Sequence, residues 1–153
     1  NVNVAMVTAP MICPIMTYSE VELIRSEVML LAGNTAAAKT AYEKGVTAAI
    51  EQWGAVTPVD YFTNPDAAFN GTLDRIQLQK YYALFFVDYQ QWFEYRRTGL
   101  PVLPTAAGML NNKVLPVRFY YPLTIRTSNT ANYKKALESN GADDINTKVW
   151  WQK

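Results

Sequence analysis

Apolar and polar positions alternate along the chain with a period that changes from one stretch to the next. Residues 1–16 read as extended or irregular, because Pro10 and Pro14 oppose a helix. From residue 17 the pattern is helical. Val21, Ile24, Val28 and Leu31 recur at three and four residues, which predicts a helix over 17–32 with an apolar stripe. Thr17-Tyr18-Ser19-Glu20 fits a capping box, in which Thr17 accepts from a first-turn amide and Glu20 reaches back. Gly33 is a natural left-handed stop, and Asn34 or Thr35 can cap a second helix over 35–53 that ends at Gly54. This second helix carries a bulky line, Tyr42, Val46, Ile50 and Trp53, and a small line, Ala38, Ala41, Gly45 and Ala48. Only Gly33 and Asn34 separate the two helices, so they are expected to pack antiparallel as a hairpin.

Ala38, Tyr42 and Gly45 also have the small–aromatic–small spacing of the second helix of a tetratricopeptide repeat. Gly33 stands at the usual turn position and Ser26 supplies the small residue of the first helix. The hairpin over 17–54 therefore resembles one such repeat, although the usual early Trp is missing. Solenoid repeats bury their faces on neighbours, and one unit is not enough. The chain, which starts on Asn1 without a charged-then-apolar leader, is thus expected to belong to something longer. Residues 55–71 read as a loop punctuated by Pro58, Asn64-Pro65 and Asn70-Gly71, with Tyr61 and Phe62 in it. Helices are predicted over 72–99. One has a face of Leu73, Ile76, Gln79 or Lys80, Ala83 and Phe86 or Val87; the next covers 89–98, with Asp88 as its cap and Gly99 as its stop. From 100 to 153 the pattern breaks up around Pro101, Pro104, Pro116 and Pro122. A short strand over 117–121 and a short helix over 131–139, capped by Asn129 or Thr130, are the regular pieces expected there. The fold class is mostly α: a tetratricopeptide-like hairpin, further helices, and an irregular loop-rich C-terminal part with little β.

Composition narrows the function. Half of the 153 residues are apolar and the net charge is +1, with basic residues adjacent only at Arg96-Arg97 and Lys134-Lys135. Phosphate contacts need a basic patch, so no nucleic-acid partner is expected. No apolar run approaches a membrane span. The absence of histidine removes the commonest general base and zinc ligand, and with it any Ser-His-Asp or Cys-His mechanism within this chain. The single cysteine, Cys13, has apolar neighbours and is expected to be a buried inert thiol. Ten Tyr, six Phe and four Trp supply either a large aromatic core or a stacking surface.

Carboxylates occur at Glu20, Glu22, Glu27, Asp74, Asp88 and Glu94. Glu20 and Glu27 share a helix face, with carboxyls on the order of 10 Å apart from the helical rise. That spacing does not exclude inverting glycoside hydrolysis, but capping and solvation account for most helical Glu residues. No phosphate loop or calcium loop is present, and neither a cofactor nor a metal is expected. The densest constellation runs from Gln79 to Pro101. Trp92 and Arg96 lie one helical turn apart, close enough for a cation–π contact. Trp92, Arg96, Arg97, Trp150 and Trp151 are read as a structural hub, with arginines bonding backbone carbonyls of the C-terminal segment. Any ligand contact in this chain is assigned to Tyr61 and Phe62, since loops carry function.

The order of these elements resembles a known family. Tyr18, Glu20 and Glu27 lie on the first helix, Trp53-Gly54 ends the second, and Gln79-Lys80 follow. Then come Trp92, Arg96 to Gly99 and Pro101; Pro116, Arg118, Tyr121 and Pro122; Asn132-Tyr133; and a terminal Trp-Trp. Over residues 15–153 this looks like the C-terminal portion of the SusD/RagB outer-membrane lipoproteins of Bacteroidetes. Ser26 departs from the family's usual Ala. The resemblance implies non-catalytic cell-surface binding of nutrient oligosaccharides, or peptides in some members. The ligand would be delivered to a TonB-dependent, SusC-like transporter. It also implies that the upstream part of the same protein packs on this one. A lipid anchor on an N-terminal cysteine absent from this chain, to which Cys13 does not correspond, is implied as well. Alternatives from other classes are a helical-repeat interaction scaffold and a glycan-cleaving enzyme.

Overall fold

The computed structural model describes residue 8 and residues 13–152. Among these are six α-helices, two short 3₁₀ turns and no strand. The mostly helical class therefore holds, and the short strand expected over 117–121 is absent. The amides of Val117 and Arg118 both donate to the carbonyl of Ile145, at 2.8 and 3.3 Å, which ties down an extended segment without a ladder. The described residues fall into two compact units that divide between Pro101 and Val102.

In the first unit α1 spans Tyr18–Leu31 and α2 spans Thr35–Gln52. Thr17 caps α1 by accepting from the Glu20 amide at 3.1 Å, and Asn34 caps α2 through the Ala37 amide at 3.1 Å. Of the two cap candidates for α2, Asn34 is the one used. The helices pack closely because their facing residues are small. Ser19 Oγ donates to the Gly45 carbonyl at 2.7 Å and Ser26 Oγ to the Ala38 carbonyl at 2.8 Å. The two bonds sit two turns apart on each antiparallel helix. A Cβ on Gly45 would lie 2.7 Å from Leu23 Cγ and 3.2 Å from the Leu23 backbone nitrogen, so only glycine admits this approach. The core that forms beside the contact is Leu23, Tyr42, Val46, Ile76 and Ala83, with Ile50, Tyr61, Phe62 and Phe69 partly buried against it.

The faces of α1 are reversed from what its apolar stripe suggests. A stripe at this spacing ordinarily faces the core. Here Val21, Ile24, Val28 and Leu31 are exposed. The buried residues are Ser19, Glu20, Glu22, Leu23, Ser26 and Glu27, of which only Leu23 is apolar. The polar side is inward because partners far along the chain meet it there. Trp53, the last of the bulky line of α2, is its C-cap and lies exposed.

Thr72 caps α3, Leu73–Ala83, by accepting from the Arg75 amide at 3.2 Å. The chain then turns through Phe86 and Asp88, both at positive φ (63° and 41°), into α4, Gln90–Thr98. Asp88 is not the cap of α4. Tyr89 holds that position and gives no side-chain cap bond, because the left-handed Asp88 already belongs to the turn. Gly99, at φ 72°, ends α4 as expected. Cys13 is exposed rather than buried, since its apolar surroundings in sequence do not enclose it. No helix among the described residues is long and apolar enough to cross a membrane.

The second unit holds α5, Leu123–Ser128, and α6, Thr130–Asn140, packed against each other. The pattern foresaw α6 but not α5. Asn129 precedes α6 without a side-chain cap bond.

Candidate functional site

Five charged residues of the first unit converge between α1, α3 and α4. The capping box places Glu20 in the first turn of α1, and Glu27 follows two turns later on the same face; both are buried. Helix α3 brings Gln77 and Lys80, and α4 brings Glu94 and Arg97. Arg97 engages both oxygens of Glu27 through its two terminal nitrogens, at 2.9 and 2.8 Å. It also reaches Glu94 at 2.8 and 3.3 Å. Gln77 donates to the same Glu27 carboxylate at 2.8 Å. Lys80, only 1 % exposed, places its ammonium 2.8 Å from Glu94. A buried ammonium is tolerated only with such a partner.

The electrostatics separate the carboxylates. Burial pushes Glu94 up, but hydrogen bonds from Arg97 and Lys80 and their charges outweigh it and hold Glu94 below its ordinary range. Burial raises Glu20. The Lys80 charge and the Thr17 amide act against that rise, and Glu94 adds to it. One oxygen of Glu20 is buried without a hydrogen-bond partner. Arg97 is raised by hydrogen bonds to Glu94 and Glu27 against the cost of burial. Glu27 and Glu94 are thus committed to cations of the same fold. Within the first unit Arg97 donates to carboxylates, those of Glu27 and Glu94. Two parallel N–H···O bonds to one carboxylate match the fork of a guanidinium and are stronger than bonds to neutral acceptors. The Arg96 guanidinium lies 4.3 Å from the Trp92 ring centroid, the one-turn contact foreseen from spacing.

Tyr61 and Phe62 form a 3₁₀ turn, Tyr61–Thr63, and are half-buried. Their rings meet edge to face at 5.3 Å, and Phe62 lies 6.4 Å from the ring of Tyr42. The loop is fixed from below. The Tyr42 hydroxyl donates to the Ala67 carbonyl at 2.6 Å, and Arg75 donates to the Pro65 carbonyl at 2.9 Å. A second aromatic cluster, not foreseen, joins Trp53 to Phe85 and Phe86 at 6.2 and 6.4 Å, with all three rings partly in solvent. Its signal in the sequence was the pair Phe85-Phe86 at the point where α3 has to end.

In the second unit Trp150 and Trp151 occupy a 3₁₀ turn, Trp150–Gln152, and Trp150 is 79 % exposed. The organising group of this unit is Asp143, which sequence reading did not single out. It accepts from the Tyr121 amide at 3.0 Å and from the Tyr133 hydroxyl at 3.1 Å. Arg118 and Arg126 each approach it to 3.8 Å. Three of the residues that carried the family resemblance, Arg118, Tyr121 and Tyr133, therefore share one carboxylate. No group of side chains suited to a metal ion occurs among the described residues.

Residues 1–122 match the model of a SusD-like family described as starch-binding and associating with the outer membrane. Among solved structures, a Bacteroidetes SusD-like protein is similar over 90 % of this chain and 30 % of its own, at 26 % identity and a TM-score of 0.78. A chitin-binding protein is similar over 88 % of this chain and 32 % of its own, at 30 % identity and a TM-score of 0.72. A chitin-binding SusD homolog from Flavobacterium johnsoniae shares the fold over 88 % of this chain and 36 % of its own, at 22 % identity and a TM-score of 0.76. The chain thus spans about a third of the length of these relatives. No curated protein matches the sequence.

Proposed function

Since the chain belongs to the SusD-like family of starch-binding proteins that associate with the outer membrane, we propose that it is the C-terminal portion of a non-catalytic cell-surface protein. That protein binds nutrient oligosaccharides and passes them to a TonB-dependent, SusC-like transporter. It is held at the membrane by a lipid on an N-terminal cysteine outside this sequence. The observation that carries the reading is the family match over residues 1–122. The chitin-binding relative at 30 % identity supports a glycan as ligand. The non-catalytic half draws support from the carboxylates. Glycoside hydrolysis needs two carboxyl groups flanking a sugar, whereas Glu20 and Glu27 are buried and Glu27 is clamped by Arg97 and Gln77. Tyr61 and Phe62 are the proposed ligand contact of this chain: half-buried rings on a braced turn keep an edge for the apolar face of a sugar.

Isothermal titration of the full-length protein with starch and chitin oligosaccharides, and with peptides as the competing ligand class, tests this. Saturable glycan binding without product release is the expected result. Binding of peptides alone, or cleavage of the glycan, overturns it. Co-purification with a barrel transporter from outer membranes tests the delivery step.

A further inference from the structure

We propose that Trp53, Phe85 and Phe86 form a second glycan-binding site, on which the apolar face of a sugar ring stacks while the Trp53 indole and the Asp88 carboxylate hold its hydroxyls. Trp53 stands at the end of α2, and Phe85 and Phe86 lie in the turn between α3 and α4. Phe85 and Phe86 meet at 4.7 Å, and both reach Trp53 edge to face. Trp53, Phe85 and Phe86 remain 43, 49 and 43 % exposed, so the cluster shields little beyond itself. Phe86 takes a φ of 63°, where Gly is unstrained, Asn is tolerated and a bulky side chain is an outlier. A large ring held on a strained backbone and then left in water is not accounted for by packing, and such outliers collect at ligand clamps. Polar groups decide the kind of ligand. Among the described residues the Trp53 indole N–H has no protein acceptor. Asp88, exposed and two positions beyond Phe86 on the same turn, forms no ion pair among them. An open donor and an open acceptor with three ring surfaces match a sugar, which carries hydroxyls around an apolar face. A purely apolar partner would leave both polar groups stripped of water and unbonded.

This site rests on the glycan reading proposed above, and the experiment separates the two. The full-length protein, labelled with fluorotryptophan, is titrated with maltohexaose and with chitohexaose and followed by fluorine NMR, while calorimetry records total binding. Trp53→Phe identifies the Trp53 resonance. That resonance should move saturably with one of the two glycans. Phe86→Asn keeps a residue that tolerates the left-handed turn and removes the ring. In this variant the midpoint of the Trp53 shift should move to an about fivefold higher glycan concentration, the loss of one aromatic contact. A Trp53 signal that stays still while calorimetry shows glycan binding overturns the site and leaves the glycan reading standing. An unaltered midpoint in Phe86→Asn overturns the site as well. No heat and no shift with either glycan overturns the site and the glycan reading together.

Discussion

Arg97 and Glu27, seventy positions apart, meet as a two-pronged pair at 2.9 and 2.8 Å, and through it α4 is fastened to α1. The pair is asymmetric. The Glu27 side chain is 10 % exposed and that of Arg97 45 %, so the carboxylate bears most of the desolvation. Arg97→Ala leaves Glu27 with Gln77 alone and should cost roughly 2 kcal/mol, below a fully buried pair because water reaches the vacated side. Arg97→Lys keeps the charge but loses the fork, at about 1 kcal/mol for a lost hydrogen bond. Urea unfolding of the full-length variants measures both, and equal losses would refute the role of the fork.

Gly45→Ala tests the helix contact. Alanine in place of glycine inside a helix favours the helix by about 1 kcal/mol. The new methyl would, however, stand 2.7 Å from Leu23 Cγ and 3.2 Å from its backbone nitrogen. Overpacking of this kind costs about 1–3 kcal/mol, so the variant should melt lower despite its better propensity. A higher melting temperature would mean that the helices can part freely.

Glu20 and Glu94 should respond to pH in opposite senses. Glu94 has a lowered folded pKa, so its stabilisation is present above the unfolded value and is lost as pH falls through the folded one. Glu94→Gln should therefore destabilise at neutral pH, and the difference should vanish in acid. Glu20 has a raised folded pKa, so its ionisation weakens folding as pH rises past the unfolded value. Glu20→Gln, which retains a capping-box side chain, should stabilise at neutral pH and lose that advantage in acid. Melting curves from pH 3 to 8 decide the matter; parallel curves for the two variants would contradict the opposite shifts.

Tyr61→Ala and Phe62→Ala should each weaken oligosaccharide binding by about fivefold or more, the loss of an aromatic contact of about 1 kcal/mol. Phe62 also packs near Tyr42, so Phe62→Ala should lower the melting temperature while Tyr61→Ala does so less. Titration and melting together separate the two effects. Unchanged affinity in both variants would move the ligand contact off this turn.

The capping and stop signals of the first helices were sound. Thr17 and Asn34 bind the amides that their positions call for, and Gly99 takes the left-handed stop. The small residues of α2 marked the close contact before any helix was placed. The orientation of α1 was not legible, because a periodicity argument assumes that the polar side meets water. Glu20 and Glu27 instead meet Lys80, Gln77 and Arg97, fifty to seventy positions on for Glu27. Only the family resemblance picked out Glu20, Glu27, Lys80 and Arg97 together. Asp88 looked like a cap, but the preceding turn with Phe86 at φ 63° consumes it. Helix α5 escaped notice because six residues after a proline carry too few periods to register.

The two serine-to-carbonyl bonds between α1 and α2 have a mechanical corollary. They are spaced identically on both helices, so sliding one helix along the other by a single turn would break both bonds together and bring Leu23, now seated against the bare Gly45, up to a residue with a side chain. The hairpin is thereby keyed like a ratchet with one tooth setting. The two bonds thus hold the hairpin to one register at two points along its length.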